Sequence, residues 1–219
     1  TGLTISHKDI MHGGTLATQL MALGFGLLAV FLTTRLPKIF RNESTLMLIL
    51  AGVVVGGFMN AVFGLMKYVA DPEEELASIV YWTMGSFANV RPSILIALCP
   101  VMLLSLVALL LLRWRINLLS LGDAEASSLG VNVTALRGTC IFFATLLTAS
   151  AVCLSGTIGW VGLITPHFAR LLVGEDNRKV LPAAILIGAA MMTLVDWLAR
   201  NLTGSEIPLS ILTGIVGAP

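Results

Sequence analysis

The chain has 219 residues, of which 57% are hydrophobic and only 11% are Asp, Glu, Lys or Arg; an ordinary soluble domain carries about 25% charged residues. With a mean hydropathy of +0.94 and a formal net charge of +1, it has too little polar surface for a soluble enzyme and no field to attract a nucleic acid. Long apolar runs argue against a transmembrane β-barrel, whose strands alternate apolar and polar residues. What remains is an all-α, polytopic helical membrane protein, read as a single transmembrane domain over 1–219. The first residue is Thr1 and the last is Pro219, inside an apolar run. Those ends suggest a fragment.

A bilayer core takes roughly 20 helical residues to cross. In chain order, uncharged stretches at 14–34 and 44–66 are long enough, and 76–90 is short enough to be partial or re-entrant. A further span is expected at 92–112. The uncharged stretch 138–169 is too long for one helix, and the glycines of Ser155-Gly156-Thr157-Ile158-Gly159 divide it. The expected products are a helix over about 134–154 and a shorter one over 161–173. Another spans 180–201, and a last helix begins at Ile207.

Orientation follows from the basic residues. With the 35–41 turn placed inside, alternation puts Arg35, Lys38, Arg41, Arg113, Arg115, Arg137, Arg170, Arg178 and Lys179 on the inner side. Lys8, Lys67, Arg91 and Arg200 fall outside, with the acidic run Asp71, Glu73, Glu74 and Glu75. The bias points inward.

The inner connection at 113–137 contains a short helix signal, with Gly122 as the turn, Asp123 as N-cap, Glu125 at the favourable end of the dipole and Gly130 as C-cap. Small residues Ala124, Ala126, Ser127 and Ser128 would let a partner come close. Composition favours a plain surface helix over a docking element. Downstream, Gly156, Gly159 and Gly162 stand three apart and Pro166 removes a backbone donor. Irregular backbone at membrane depth needs protein or a water-filled cavity around it. His167 has no second ligand at metal spacing, so a structural hydrogen bond is expected of it. His7, Asp9 and His12 give only a weak metal signal, read as chance, and no metal site is assigned.

Asp196 and Arg200 are four apart on one helical face and can pair; a local ion pair and an external docking site, rimmed by Glu206, both remain open. Gly52 and Gly56 form a GxxxG that favours close helix packing, with Met59 and Asn60 nearby as candidates to line a pathway. No GxxxxGK[ST] phosphate loop, serine elbow or HExxH is present.

Three stretches carry a family resemblance: LLSLGDAEASSLGVN at 118–132, SGTIGWVGLITPHFARLLVGEDNRKVLPAAILIGAAMMTLVDWLAR at 155–200, and EIPLSILTGIVGAP at 206–219. With LAGVVVGGFMNAVFG (50–64) and YWTMGSFANV (81–90), they resemble the FecCD-type permease subunits of ABC importers for iron–siderophore complexes, haem, cobalamin and, in some members, molybdate. The resemblance implies a ten-helix permease, of which this chain would hold about seven membrane helices plus short coupling and re-entrant helices. It implies no enzyme activity and no cofactor in this chain, with ATP and magnesium bound by a separate ATP-binding cassette subunit. The other implied partners are a periplasmic or lipid-anchored substrate-binding protein, a second permease subunit (the same or a different chain) and the lipid bilayer of the bacterial inner membrane. Nucleic acid is not among them.

Residue by residue, Leu121, Gly122, Asp123, Ala124, Glu125, Ala126, Leu129 and Gly130 match the cytoplasmic coupling helices (118–132), which reverses the odds set by composition. Arg200, with Glu206 beside it, matches a docking arginine for the binding protein. Ser44 and Thr45 match the inner end of a pathway-lining helix that also bears Gly56, Met59 and Asn60. Gly156, Gly159, Gly162, Pro166, His167 and Arg170 form the family's GxIGxxGLxxPHxxR core. Iron–siderophore is the expected cargo. The rival expectation is a secondary transporter driven by an ion gradient, which would want intramembrane carboxylates or paired broken helices; Asp196 is the only acid deep in a span.

Overall fold

The computed structural model describes residues 16–40, 44–73, 75–88, 90–202 and 206–217. Those residues form α1 (Leu16–Ile39), α2 (Thr45–Val69), α3 (Glu75–Met84), α4 (Pro92–Leu119), α5 (Asp123–Ser128), α6 (Val133–Ser155), α7 (Val161–Val173), α8 (Asn177–Asn201) and α9 (Leu209–Gly217), with no strand among them. Packing divides the chain into two compact units, 1–82 and 83–219.

The boundaries follow local chemistry. Ser44 caps α2 by accepting the Met47 N–H at 3.3 Å, Asn132 caps α6 by accepting from Ala135 at 2.9 Å, and Asp176 caps α8 by accepting from Arg178 at 3.0 Å. Pro92 opens α4, where its missing donor costs nothing. The division expected near 155–160 is present: α6 ends at Ser155 and α7 begins at Val161. Between them Trp160 takes φ +61, an uncommon conformation for a bulky residue.

Five helices are long and apolar enough to cross a membrane: α1 within Met21–Ile39, α2, α4, α6 and α8. The two other expected membrane helices are present as shorter apolar ones, α7 with 13 residues and α9 with 9 described up to Gly217. The 76–90 stretch is helical only as far as Met84. α4 runs on to Leu119, seven residues past the expected end at 112; its last turns carry Arg113 and Arg115 beyond the apolar run.

In the first unit, α1 packs on α2 near Thr33 and Gly52, with Ala51 and Val55 buried. In the second, α4 lies against α6 and α8, α7 against α8, and α9 against α8 and α7. Their buried residues mix small and branched side chains: Ser105, Ser150, Thr165, Ala169, Ala199 and Thr213 lie with Ile94, Leu98, Val133, Leu136, Val180, Val195 and Leu209. Most hydroxyls there are satisfied within their own helix, as Ser105 donates to the Val101 carbonyl at 2.8 Å and Thr213 to Leu209 at 2.9 Å. Large apolar side chains such as Phe25, Leu111 and Leu186 face outward. Small hydroxyl and alanine residues among the buried set, with large apolar side chains turned outward, suit helices that pack in lipid.

Candidate functional site

The functional candidates of the second unit gather at its two opposite ends. At one end, α4 finishes, α5 follows and α8 begins. Asn117 of α4 donates to the Asp176 carboxylate at 2.5 Å and accepts the Asn177 N–H at 2.8 Å, while Arg113 donates to the Arg178 carbonyl at 3.2 Å. These bonds join residues about 60 positions apart. The N–H of Arg178 and the Asn117 amide, helped by the charges of Arg178 and Lys179, hold the Asp176 carboxyl below its ordinary range.

α5 is tied to the same end by an ion pair. Arg137, near the start of α6, meets the Asp123 carboxylate with both terminal nitrogens, at 2.8 and 3.3 Å. Here the structure corrects the capping assignment. Asp123 is the first helical residue, not the N-cap; Gly122, at φ +109, holds that position. Leu129 is the C-cap and Gly130 follows it at φ +80, its N–H donating to the Ser127 carbonyl at 3.0 Å. The aspartate gives up capping because its carboxylate is turned to Arg137. Ala126 is completely buried, which seats the helix, while Leu121 and Leu129 are 56% and 60% exposed on either side of it, with Ala124 and Glu125 also exposed. The result is a short, anchored helix with apolar residues at both ends turned outward.

The other end is a polar knot. Ser86 N–H donates to the Ser155 carbonyl at 2.9 Å, Leu209 N–H to Gly85 at 3.0 Å, and Ile207 N–H to Ala199 at 3.2 Å; the Thr157 hydroxyl donates to the Thr83 carbonyl. Gly85 is required at its position. It sits at φ +73, and a Cβ there would come within 2.7 Å of the Thr157 carbonyl oxygen. Arg200 forms the expected pair with Asp196, Nε to Oδ2 at 3.0 Å, and also reaches Glu206 at 3.6 Å. Glu206 in turn accepts from the Ser86 hydroxyl at 3.1 Å. Arg200 thus stays partly exposed but is braced by two carboxylates.

These contacts gather most of the second unit's basic residues at one end. Arg113, Arg115, Arg137, Arg178 and Lys179 lie at or beside the α4–α5–α8 end, with Arg170 at the close of α7. Arg200 lies at the other.

Of the GxIGxxGLxxPHxxR core, Gly156 ends α6 at φ +72, Gly159 lies in the connection, and Gly162 and Pro166 lie in α7. The hydrogen bond expected of His167 is not formed with any described residue; its ring is exposed and lies edge-on to Phe168. Arg170 faces Glu175 at 3.4 Å. In the first unit, Gly56, Met59 and Asn60 share a face of α2; Gly56 and Asn60 are exposed and Met59 is half-buried. Ser44 is an N-cap and Thr45 the first residue of α2, its side chain lying outside what is described. His7, Lys8, Asp9, His12, Arg41 and Glu74 lie outside the described residues. Among those described, no three His, Cys, Asp or Glu side chains gather as metal ligands.

The contacts of Asn117, Arg137, Ser86 and Gly85 were not legible in the sequence. Their partners across the fold are 14 to 124 residues away, and no short spacing announces them.

Comparison with known proteins agrees with this arrangement. The chain matches the FecCD transport family over residues 4–219. It is 45% identical over 219 residues to the molybdate import system permease protein MolB of Haemophilus influenzae, covering 94% of this chain and 64% of that protein. It is 42% identical over 179 residues to a probable iron chelatin transport system permease protein of Helicobacter pylori, covering 81% of this chain and 54% of the relative. The chain therefore spans between about half and two thirds of the length of these relatives. A solved structure described as an inward-facing conformation of a metal-chelate type ABC transporter superposes with a TM-score of 0.81 at 42% identity, over 98% of this chain and 74% of that one. Five membrane-length helices, two polar ends and a match across nearly the whole sequence give one conclusion: the chain belongs to the FecCD transport family.

Proposed function

We propose that the chain is the core of the permease subunit of an ATP-driven importer in the bacterial inner membrane. It does no bond chemistry. A binding protein outside delivers cargo to the Arg200–Glu206 end. A second permease subunit completes the pathway, and an ATP-binding cassette subunit engages α5. The observation that carries this reading is α5 itself, a six-residue helix pinned by Asp123–Arg137 with Leu121 and Leu129 exposed at the water-facing end of the bundle. A helix that only joined α4 to α6 would have no need of exposed leucines on both sides of a buried alanine.

The cargo proposed is a metal-bearing chelate or oxyanion. An iron–siderophore complex is the finer reading, and it draws support from the iron chelatin relative; the molybdate relative is the more similar of the two in identity. Uptake into proteoliposomes containing the complete protein decides between ATP coupling and an ion gradient. Uptake that requires the ATP-binding subunit and ATP, and persists when ion gradients are collapsed, is expected. Uptake that survives without that subunit and follows the gradient would overturn the proposal.

A further inference from the structure

The junction between the end of α4 and the first turn of α8 carries more positive charge than its own contacts neutralise. Arg113 donates to the Arg178 carbonyl at 3.2 Å, so a guanidinium is held against the backbone of another cationic residue. Arg178 and Lys179 are the second and third residues of α8, where the helix dipole is positive and cations are disfavoured. The acid within reach is Asp176, whose carboxylate already accepts from the Asn117 amide and the Arg178 N–H. None of Arg113, Arg178 and Lys179 forms an ion pair with a described residue, and all three are exposed. Glu175, the next nearest acid in sequence, faces Arg170.

The inward bias of basic residues explains the sign of this end. It does not explain why cations from two helices 65 residues apart converge on one helix start. Like charges brought together at a positive dipole leave a potential that an external anion would satisfy. Two apolar features identify the kind of anion. Trp114, adjacent to Arg113, is 52% exposed at the end of a membrane-length helix, the place where tryptophan sits at headgroup level. Leu171 and Leu172, just before the turn into α8, are exposed as well. A cationic cluster bordered by exposed indole and leucine side chains fits an amphiphile.

We propose that Arg113, Arg178 and Lys179 bind the phosphate headgroup of an anionic phospholipid, with Trp114 against the glycerol and upper acyl region. Basic side chains between membrane helices on the inner side recognise such headgroups through charge and hydrogen bonds. Bound there, the lipid fastens the start of α8 to the end of α4.

The test uses the full-length protein in phosphatidylcholine nanodiscs, with Trp82, Trp160 and Trp197 replaced by Phe so that Trp114 reports alone. Brominated phosphatidylglycerol and brominated phosphatidylcholine are compared as quenchers. Preferential quenching by the anionic lipid is expected, and R178Q/K179Q should reduce that preference by about fivefold per removed charge. Equal quenching by the two lipids would overturn the proposal, as would a preference that the double variant leaves intact. Competition by inorganic phosphate at millimolar concentration would instead make this a soluble-anion site. Loss of the preference when the ATP-binding subunit is added would assign the cations to that protein. Native mass spectrometry of the protein with all its tryptophans serves if the variant lacking Trp82, Trp160 and Trp197 does not fold: retained phosphatidylglycerol, absent from R178Q/K179Q, is the expected result, and no retained anionic lipid would contradict it.

Discussion

Gly85 and Gly130 both hold positive φ, +73 and +80, yet they answer to different constraints. Around Gly130 a Cβ would meet open space, whereas at Gly85 it would strike the carbonyls of Thr157 and Ser155. Gly130→Ala is expected to cost about 1 kcal/mol, the conformational part alone. Gly85→Ala should cost about 2 kcal/mol more than that, since backbone atoms must move. Thermal unfolding of the two purified variants in one detergent checks the order; equal losses would contradict the close approach at Gly85. Asp176 gives a pH-dependent prediction. Its folded carboxyl titrates below its unfolded value, so the stability it contributes is present above about pH 4 and fades as pH falls through the lower folded value. Asp176→Asn keeps a capping oxygen but loses the charge. The variant should therefore melt below the wild type at pH 7, with the gap closing under acid. A gap independent of pH would sink this account.

At the scale of elements, α5 shows how a very short helix can be fixed. Six residues cannot hold themselves helical in water, so its order depends on buried Ala126 and on Asp123–Arg137. That pair is partly exposed, 32% for Arg137 and 60% for Asp123, and is worth about 0.2–1 kcal/mol. Arg137→Gln should thus leave global stability nearly unchanged while freeing α5. Coupling of ATP hydrolysis to transport should fall severalfold, and the exchanged pair Asp123→Arg/Arg137→Asp should recover part of it. If Arg137→Gln unfolds the protein, or couples normally, the pair does not have this role. The elements were largely readable in the sequence. The boundaries of α6 and α7 fell within a residue or so of their expected places, because Gly156 ends one helix and hydropathy resumes at Val161. Asp123 was misread as a cap because an aspartate just after a glycine turn is a favoured N-cap residue, and the competing partner, Arg137, is fourteen residues on. The ties of Asn117 to Asp176 and of Ser86 to Glu206 form only when helices distant in sequence lie side by side.

At the scale of the whole molecule, the sparse charges mark the ends of the second unit, while its helices are joined through buried uncharged residues such as Leu98, Ser105, Ala169 and Val195. Such a body can move as packed helices and transmit a push applied at one end to the other. The central claim is that the push enters through α5. Its most direct test replaces residues 123–129 with a Gly/Ser linker of the same length in the complete transporter, then measures ATP hydrolysis with and without cargo-loaded binding protein. Assembly and basal hydrolysis should persist while the stimulated rate and uptake are lost. Stimulation and uptake at wild-type levels, with the linker in place, would contradict the account.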